Sequence, residues 1–191
     1  LRAAHLHGIR AGALTPEAIA QALAHLLPEH AIVMAEAATA GRPIYSALRA
    51  SAPHDWLDLT GGAIGQGMPA ATGAAVACPD RKVISLEADG SGMYTLQALW
   101  TQAREELDVT TVIFSNRRYA ILEMEYHRVG VGAPSERAKS LFDLSRPDLD
   151  WVQLARGMGV DGARASTAEE FSRELARGLG EAGPYLIEAV L

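Results

Sequence analysis

Five short apolar segments constrain the fold of this chain more than any other feature. Each has the length and the aliphatic, partly β-branched composition of a buried strand, and they occupy residues 31–35, 56–60, 82–88, 109–115 and 184–191, with a weaker sixth candidate at 160–165. Helical patterns separate them, at residues 65–77, 94–107 and 167–180. Because alternating strands and helices need crossover connections that cover both sheet faces, we predict a three-layer α/β/α fold around a central, mostly parallel sheet.

The first helix signal sets the predicted domain boundary. Thr15, Pro16 and Glu17 combine an N-cap residue, a proline at the first helical position and an acid in the first turn. We therefore expect a single domain over residues 15–191, preceded by a linker or tail over residues 1–14. The segment 124–140 has weak periodicity, two glycines and mixed charges, so we expect a mobile or partner-contacting loop there.

Composition excludes several classes of partner. The net charge of −6 leaves no basic stripe for a phosphate backbone, so we expect no nucleic acid partner. No apolar run approaches the roughly 18 residues of a membrane span, so no membrane partner is expected either. Cys78 is the only cysteine, which fits a cytoplasmic location. His5 and His7 lack a carboxylate or a cysteine that would complete a ligand set, so we predict no metal site there.

One aspartate follows a predicted buried strand directly. In "EADGSGMYTLQALW", Asp89 comes after the segment 82–88, and Gly90 allows the backbone to turn sharply and to approach a ligand. The amides that follow open toward a helix start, an arrangement that favours phosphate. Ligands of open α/β sheets bind beyond the carboxyl ends of the strands, which is where Asp89 is predicted to lie. On its own, however, "DG" is also a common turn.

The next predicted strand ends in a second oxygen ligand. Segment 109–115 is followed by Asn116, which lies 27 residues after Asp89, and this spacing fits a helix and a strand between two neighbouring strand ends. A carboxylate, an amide oxygen and a main-chain carbonyl suit Mg²⁺, whose remaining positions go to phosphate oxygens and water. The two residues therefore predict a site for a metal-bridged diphosphate.

Three blocks in the same order resemble the thiamine diphosphate-dependent enzymes, within the acetolactate synthase, benzoylformate decarboxylase and pyruvate decarboxylase branch. The blocks are "GGAIGQGMPAATGAAVA" (61–77), "DGSGMYTLQALWTQARE" (89–105) and "VIFSNRRYAIL" (112–122). The cofactor signature of that family is GDG, followed after a spacer in the high twenties by NN. This chain departs from it at Ala88 and Ser115, neither of which is a metal ligand in the family, so we expect cofactor binding to survive.

The resemblance implies a role for each site residue. Asp89, Asn116 and the main-chain carbonyl of Arg118 would ligate Mg²⁺. The Gly62 carbonyl and the Ile64 amide would bond the aminopyrimidine, and the Ile64 side chain would wedge beneath the cofactor. The diphosphate would be held by the remaining cofactor-binding residues, which are Ala38, Thr39, Gly90, Ser91 and Tyr119.

The resemblance also implies what this chain lacks. The glutamate that activates the cofactor belongs in this family to a separate pyrimidine-binding domain, of which the sequence shows no trace. Glu36 and Glu87 fall in the diphosphate half of the pattern and are interpreted as loop or strand-end acids, and His127 as an exposed loop histidine. We therefore assign no catalytic residue, and we expect the C-terminal domain of an enzyme acting on 2-keto acids, needing a pyrimidine-binding domain or subunit and self-associating as a homo-oligomer.

Two alternatives stay open beside this hypothesis. The chain could be a non-catalytic assembly domain that keeps the fold, or the second subunit of a split 2-keto acid decarboxylase. A nicotinamide or flavin Rossmann domain ranks last, because "EAATAGRP" after the first strand (36–43) lacks GxGxxG.

Overall fold

Six parallel strands form one sheet in the computed structural model, which describes residues 12–130 and 132–191. Every pairing is parallel, in the order β2-β1-β3-β4-β6-β5. All six predicted segments, the weak one included, are confirmed as the strands β1 Ile32–Ala35, β2 Asp55–Asp58, β3 Val83–Ala88, β4 Val109–Ser115, β5 Asp161–Ala165 and β6 Tyr185–Val190. His5 and His7 lie outside the described residues.

Helices cover both faces of this sheet and complete the predicted three layers. One apolar core lies between the sheet and α1, α2 and α9, and two smaller clusters lie on the other face with α3, α5 and α8. The described helices are α1 Pro16–Leu26, α2 Arg42–Leu48, α3 Gly67–Ala77, α4 Asp89–Gly92, α5 Ala98–Arg104, α6 Ala120–Arg128, α7 Glu136–Phe142, α8 Trp151–Gly157 and α9 Ala168–Gly180. None of them is long and apolar enough to cross a membrane.

The first helix begins where its capping residues predict. Thr15 Oγ1 accepts a hydrogen bond of 3.1 Å from the Ala18 amide, and the helix buries Ile19 and Leu23 completely. Leu14, just before the predicted boundary, is also buried, and its amide donates to the Ser166 carbonyl at 3.2 Å. The limits of the domain remain a prediction.

The strand order places a crevice at one position of the sheet. From β1 the chain crosses outward to β2 and then returns past β1 to β3, so the direction of winding reverses between β1 and β3. Ligands of open α/β sheets bind at such a switch point, at the carboxyl ends of the strands. Those ends lead here into Glu36 and Asp89, so the topology brings the predicted diphosphate turns side by side.

The segment 124–140, predicted to be a loop, is helical at both ends, so that part of the prediction is wrong, while contact with a partner stays a prediction. Helix α6 extends to Arg128 and α7 begins at Glu136. Neither helix contains a buried residue, and they contact each other through the Tyr126 and Phe142 rings, whose centroids lie 6.0 Å apart. Because no face of either helix packs into the core, the sequence carries no clear 3.6-residue apolar period there.

Candidate functional site

Asp89 is a buried carboxylate at the carboxyl edge of β3 and β4. Its side chain is almost fully enclosed, and its two oxygens accept hydrogen bonds from the backbone amides of Gly90 at 2.8 Å and Arg117 at 2.5 Å. Burial raises the pKa of Asp89 from 3.8 to about 6, against the opposing effect of these amides and that of Asn116. The carboxylate thus joins the turn after β3 to the turn after β4, as the 27-residue spacing predicts.

The turn after β4 presents oxygens at the same edge. Asn116 follows β4 directly, and its Oδ1 accepts a hydrogen bond of 3.1 Å from the Arg118 amide, which closes an Asx turn. Arg117, between them, has a φ of +58°. Arg118 forms an antiparallel bridge with Asp143, so the turn is anchored to the segment after α7. Asp89, Asn116 and Arg118 therefore lie on two adjoining turns.

Tyr119 covers the glycine of the Asp89 turn. A Cβ atom added at Gly90 would lie 2.5 Å from the Tyr119 ring, closer than real Cβ contacts. The position therefore requires glycine, and the aromatic ring forms one wall of the predicted diphosphate site. Burial also raises the pKa of the Tyr119 hydroxyl above 10.0.

Ser91 is oriented into its own turn. The residue is buried, its Oγ donates to the Ala88 carbonyl at 3.1 Å, and the same oxygen accepts from the Ala88 amide at 3.2 Å. Its hydroxyl therefore fixes the turn in this structure, while its backbone amide belongs to the first turn of α4.

The turn after β1 forms the other wall of the crevice. The Ala38 amide donates to the Glu36 carbonyl at 2.8 Å, and the Gly41 amide donates to the Ala37 carbonyl at 2.7 Å. Ala38 is exposed and Thr39 is half-buried at the entrance to α2. A Cβ at Gly41 would lie 2.3 Å from the Ala37 carbonyl oxygen, so this tight turn also requires glycine.

The loop before α3 holds the two groups predicted to bond the aminopyrimidine. In this structure they bond each other, since the Ile64 amide donates to the Gly62 carbonyl at 3.1 Å. Gly61, Gly62 and Gly65 have φ values of +65°, +69° and +97°, which favour glycine. The loop is thus a glycine-rich turn in which these two groups satisfy each other.

Glu36 is a functional candidate whose importance the sequence interpretation missed. Its carboxylate is buried and accepts hydrogen bonds from three successive amides at the start of α3: Gly65, Gln66 at 3.3 Å and Gly67 at 2.7 Å. The available signal was its position, because an acid follows the apolar segment 31–35 just as Asp89 follows 82–88. Two acids after neighbouring buried strands indicate one shared edge.

Glu87 lies beside Glu36 behind the same turn. Its side chain is fully buried in β3 and accepts a hydrogen bond of 2.8 Å from the Ser85 hydroxyl. Burial, and then the neighbouring Glu36 carboxylate, raise the pKa of Glu87 well above 4.5. A Cβ at Gly67 would collide with Oε1 of Glu87 at 2.2 Å and Oε2 of Glu36 at 2.5 Å. The two acids therefore pack against a glycine.

The residues at this edge fit a magnesium-bridged diphosphate. The Asp89 carboxylate, the Asn116 amide oxygen and the Arg118 carbonyl are hard oxygen ligands of the kind Mg²⁺ takes. Among the ion pairs formed by residues 12–130 and 132–191, none involves Glu36, Glu87 or Asp89. A bound cation would neutralise a negative charge that the described residues leave without a cationic partner.

Comparison with known proteins agrees with this geometry. Residues 39–189 match the family model described as "Thiamine pyrophosphate enzyme, C-terminal TPP binding domain". A Mycobacterium tuberculosis protein named as a candidate acetolactate synthase large subunit, IlvX, is 52% identical over 94% of this chain and 35% of its own length. Benzoylformate decarboxylase of Pseudomonas aeruginosa is 32% identical over 93% of this chain and 32% of its own length.

A solved structure extends the agreement to three dimensions. The thiamine diphosphate-dependent 4-hydroxybenzoylformate decarboxylase of Rhodococcus jostii RHA1 superposes with a TM-score of 0.82 and 32% sequence identity, over 92% of this chain and 32% of its own. The chain thus spans about a third of the length of the relatives that it matches. The matched third is the one that contains the crevice between β1 and β3.

Proposed function

This chain belongs to the thiamine pyrophosphate enzymes, as their C-terminal cofactor-binding domain, and from that premise we propose that it holds thiamine diphosphate through Mg²⁺ at the carboxyl ends of β1, β3 and β4. One observation carries the proposal. The buried Asp89 carboxylate joins the two turns after β3 and β4, and only backbone amides donate to it among the described residues.

Each turn has its own part in this proposal. Asp89, Asn116 and the Arg118 carbonyl ligate the metal, and the amides of Gly90 and Ser91 bind the diphosphate at the start of α4. Ala38, Thr39 and the Tyr119 ring close the diphosphate site from either side. Backbone amides at such turns suit anions because their N–H groups have no helical partner.

The loop before α3 receives the aminopyrimidine. For this, the Gly62 carbonyl and the Ile64 amide exchange their mutual hydrogen bond of 3.1 Å for bonds to the ring. That exchange breaks one hydrogen bond and forms two, and the Ile64 side chain supports the cofactor.

We place the chain in an enzyme that acts on 2-keto acids. Thiamine diphosphate, when bound, supplies a carbon nucleophile and an electron sink for decarboxylation. This chain contributes the anchoring of metal and diphosphate, and a pyrimidine-binding domain or subunit supplies the activating glutamate. The relatives named acetolactate synthase and benzoylformate decarboxylase support the substrate class. The single Cys78, with no disulfide, supports a cytoplasmic location.

Exposed apolar side chains support assembly with that partner domain and with a second copy. Val76 on α3, Tyr94 before α5 and Trp100 on α5 are 61%, 59% and 51% exposed. Helices α3 and α5 pack on each other, so these side chains share one face of the molecule. A face of this kind is typical of protein interfaces.

Titration calorimetry tests the proposed cofactor site. We expect thiamine diphosphate to release heat on binding to the chain in the presence of Mg²⁺ and to give none after chelation with EDTA. Sedimentation of the same samples reports their assembly state. Absence of binding heat in every assembly state would overturn the proposal and favour a non-catalytic assembly domain.

A further inference from the structure

We propose that Glu36 and Gln66 are positioning residues that set the aminopyrimidine loop, residues 60–64, relative to the diphosphate turns. This inference deepens the proposed function and rests on it. It assigns a role to Glu36, the buried acid after β1, which contributes no proposed contact to the metal or the diphosphate. It also assigns a role to Gln66, which directly precedes α3.

Glu36 is itself held rigidly by the sheet. Its own amide and that of Ala37 both donate to the Leu86 carbonyl of β3, at 2.7 and 3.0 Å. The backbone of Glu36 therefore extends the pairing of β1 with β3 by one residue, up to the edge where Ala38 begins the diphosphate turn. A side chain that starts from this point has little freedom to move.

The Glu36 carboxylate fixes the start of α3 through hydrogen bonds. It accepts from the amides of Gly65, Gln66 and Gly67, the last of which lies in the first turn of α3, where amides have no helical partner. A carboxylate is well suited to this place, because its negative charge is favoured at a helix N-terminus. Glycine is required at position 67 because an added Cβ would lie 2.5 Å from Oε2 of Glu36 and 2.2 Å from Oε1 of Glu87.

Gln66 then connects the helix start to the loop. Its Nε2 donates to the Thr60 carbonyl at 3.0 Å and to the Ala63 carbonyl at 2.8 Å, which closes the loop on itself. The backbone amide of Gln66 donates to the Glu36 carboxylate. The position of Gly62 and Ile64 thus depends on Gln66, and that of Gln66 depends on Glu36.

Comparing the binding of inorganic diphosphate with that of thiamine diphosphate distinguishes this positioning role from a general contribution to stability. Inorganic diphosphate with Mg²⁺ uses only the turns around Asp89 and Ala38, whereas thiamine diphosphate also needs the loop 60–64. Weakening the positioning residues therefore lowers the affinity for thiamine diphosphate and leaves that for inorganic diphosphate almost unchanged. A variant that only loosens the fold lowers both affinities by the same factor.

The test compares both ligands on Glu36→Gln and Gln66→Met by titration calorimetry with saturating Mg²⁺. Glu36→Gln places an amide group against backbone N–H donors, and we expect a dissociation constant for thiamine diphosphate at least about tenfold higher. Gln66→Met loses two hydrogen bonds on a half-buried side chain, and we expect a rise of about threefold. For inorganic diphosphate we expect changes below about twofold. The exposed residues Glu29 and Gln97 provide matched controls, Glu29→Gln and Gln97→Met, in which neither affinity changes.

The remaining results would overturn either the positioning role or the proposed cofactor site. Equal losses for both ligands, or no loss in either variant, overturn the positioning role and leave the cofactor site standing. If Glu36→Gln fails to fold, Gln66→Met decides the question alone, and an unfolded Gln66→Met as well assigns both residues to stability and overturns the inference. A wild-type chain that binds neither ligand overturns the proposed function itself.

Discussion

The charged side chains at the two edges of the sheet differ in whether they have a partner of opposite charge. At the amino edge of β1, β2 and β3, cations lie against anions: Arg81 Nη2 bonds Asp55 at 2.6 Å, and Lys82 bonds Asp108. At the carboxyl edge of β1, β3 and β4, the carboxyl groups of Glu36, Glu87 and Asp89 are buried, and no described cation pairs with them. These carboxyl groups accept hydrogen bonds from backbone amides and from the Ser85 hydroxyl.

The difference shows which edge is structural and which is prepared for a ligand. Ion pairs satisfy the charges at the amino edge, so this edge needs nothing further. A buried carboxylate without a countercharge raises the free energy of the folded chain, because desolvation penalises its charged form. The raised pKa of Asp89 reports this cost, which a bound Mg²⁺ would offset.

Replacing the charge at the carboxyl edge gives the largest expected effect. Asp89→Asn keeps the shape of the side chain but removes the anionic metal ligand, so we expect the affinity for thiamine diphosphate with Mg²⁺ to fall on the order of a thousandfold. Titration calorimetry measures it, with Asp55→Asn at the amino edge as the matched control. Binding within tenfold of the wild type would show that Asp89 is not a metal ligand.

The same substitution changes how stability depends on pH in the absence of metal. The folded pKa of Asp89, about 6, lies above its unfolded value of about 3.9, so its protonated form stabilises the fold below pH 4. That contribution is lost as the pH rises through 6, and a shift of about two units corresponds to about 3 kcal/mol.

Asp89→Asn lacks this titration. We therefore expect its free energy of unfolding, measured by urea denaturation, to rise relative to the wild type by about 2 kcal/mol between pH 4 and pH 7.5. A difference between the two proteins that stays constant over this range would contradict the assignment. Because Glu87 is present in both proteins, its contribution cancels in the comparison.

The contrast between the edges also explains which features sequence reasoning could find. The strands and the long helices were predictable because each carries its own periodic or capping signal, as at Thr15. The pairing of Asp89 with the turn at Asn116 followed from their spacing. The roles of Glu36 and Gln66 depend on the approach of α3 to the end of β1, a tertiary contact that leaves no periodic pattern.

Helices α6 and α7 are elements that the sequence did not predict. They bury no residue in this structure, and the apolar side chains of Leu122, Met124 and Leu141 are 48%, 43% and 70% exposed. A segment whose apolar residues face outward does not follow the pattern of a helix on a core, so it resembles a loop in the sequence.

A buried ion pair at the amino edge gives a smaller and purely structural effect. The Lys82 side chain is 7% exposed, and its Nζ donates to Asp108 and to the Glu181 carbonyl. We expect Lys82→Met to lower the free energy of unfolding by about 1–3 kcal/mol, because it leaves those oxygens unpaired. Urea denaturation measures the loss, and calorimetry should find the cofactor affinity unchanged. A tenfold weaker affinity would mean that the two edges are coupled.

The smallest effect is expected from the exposed pair at the same edge. The Asp55 side chain is 64% exposed, and Arg81 keeps its hydrogen bond to the His30 carbonyl when that partner is neutral. We therefore expect Asp55→Asn to cost less than about 1 kcal/mol, and less still at 1 M salt, where exposed charges are screened. Urea denaturation at low and high salt measures both values. A larger loss that salt does not reduce would show that Asp55 acts through something other than its charge, and the amino edge would then no longer be a set of simple ion pairs.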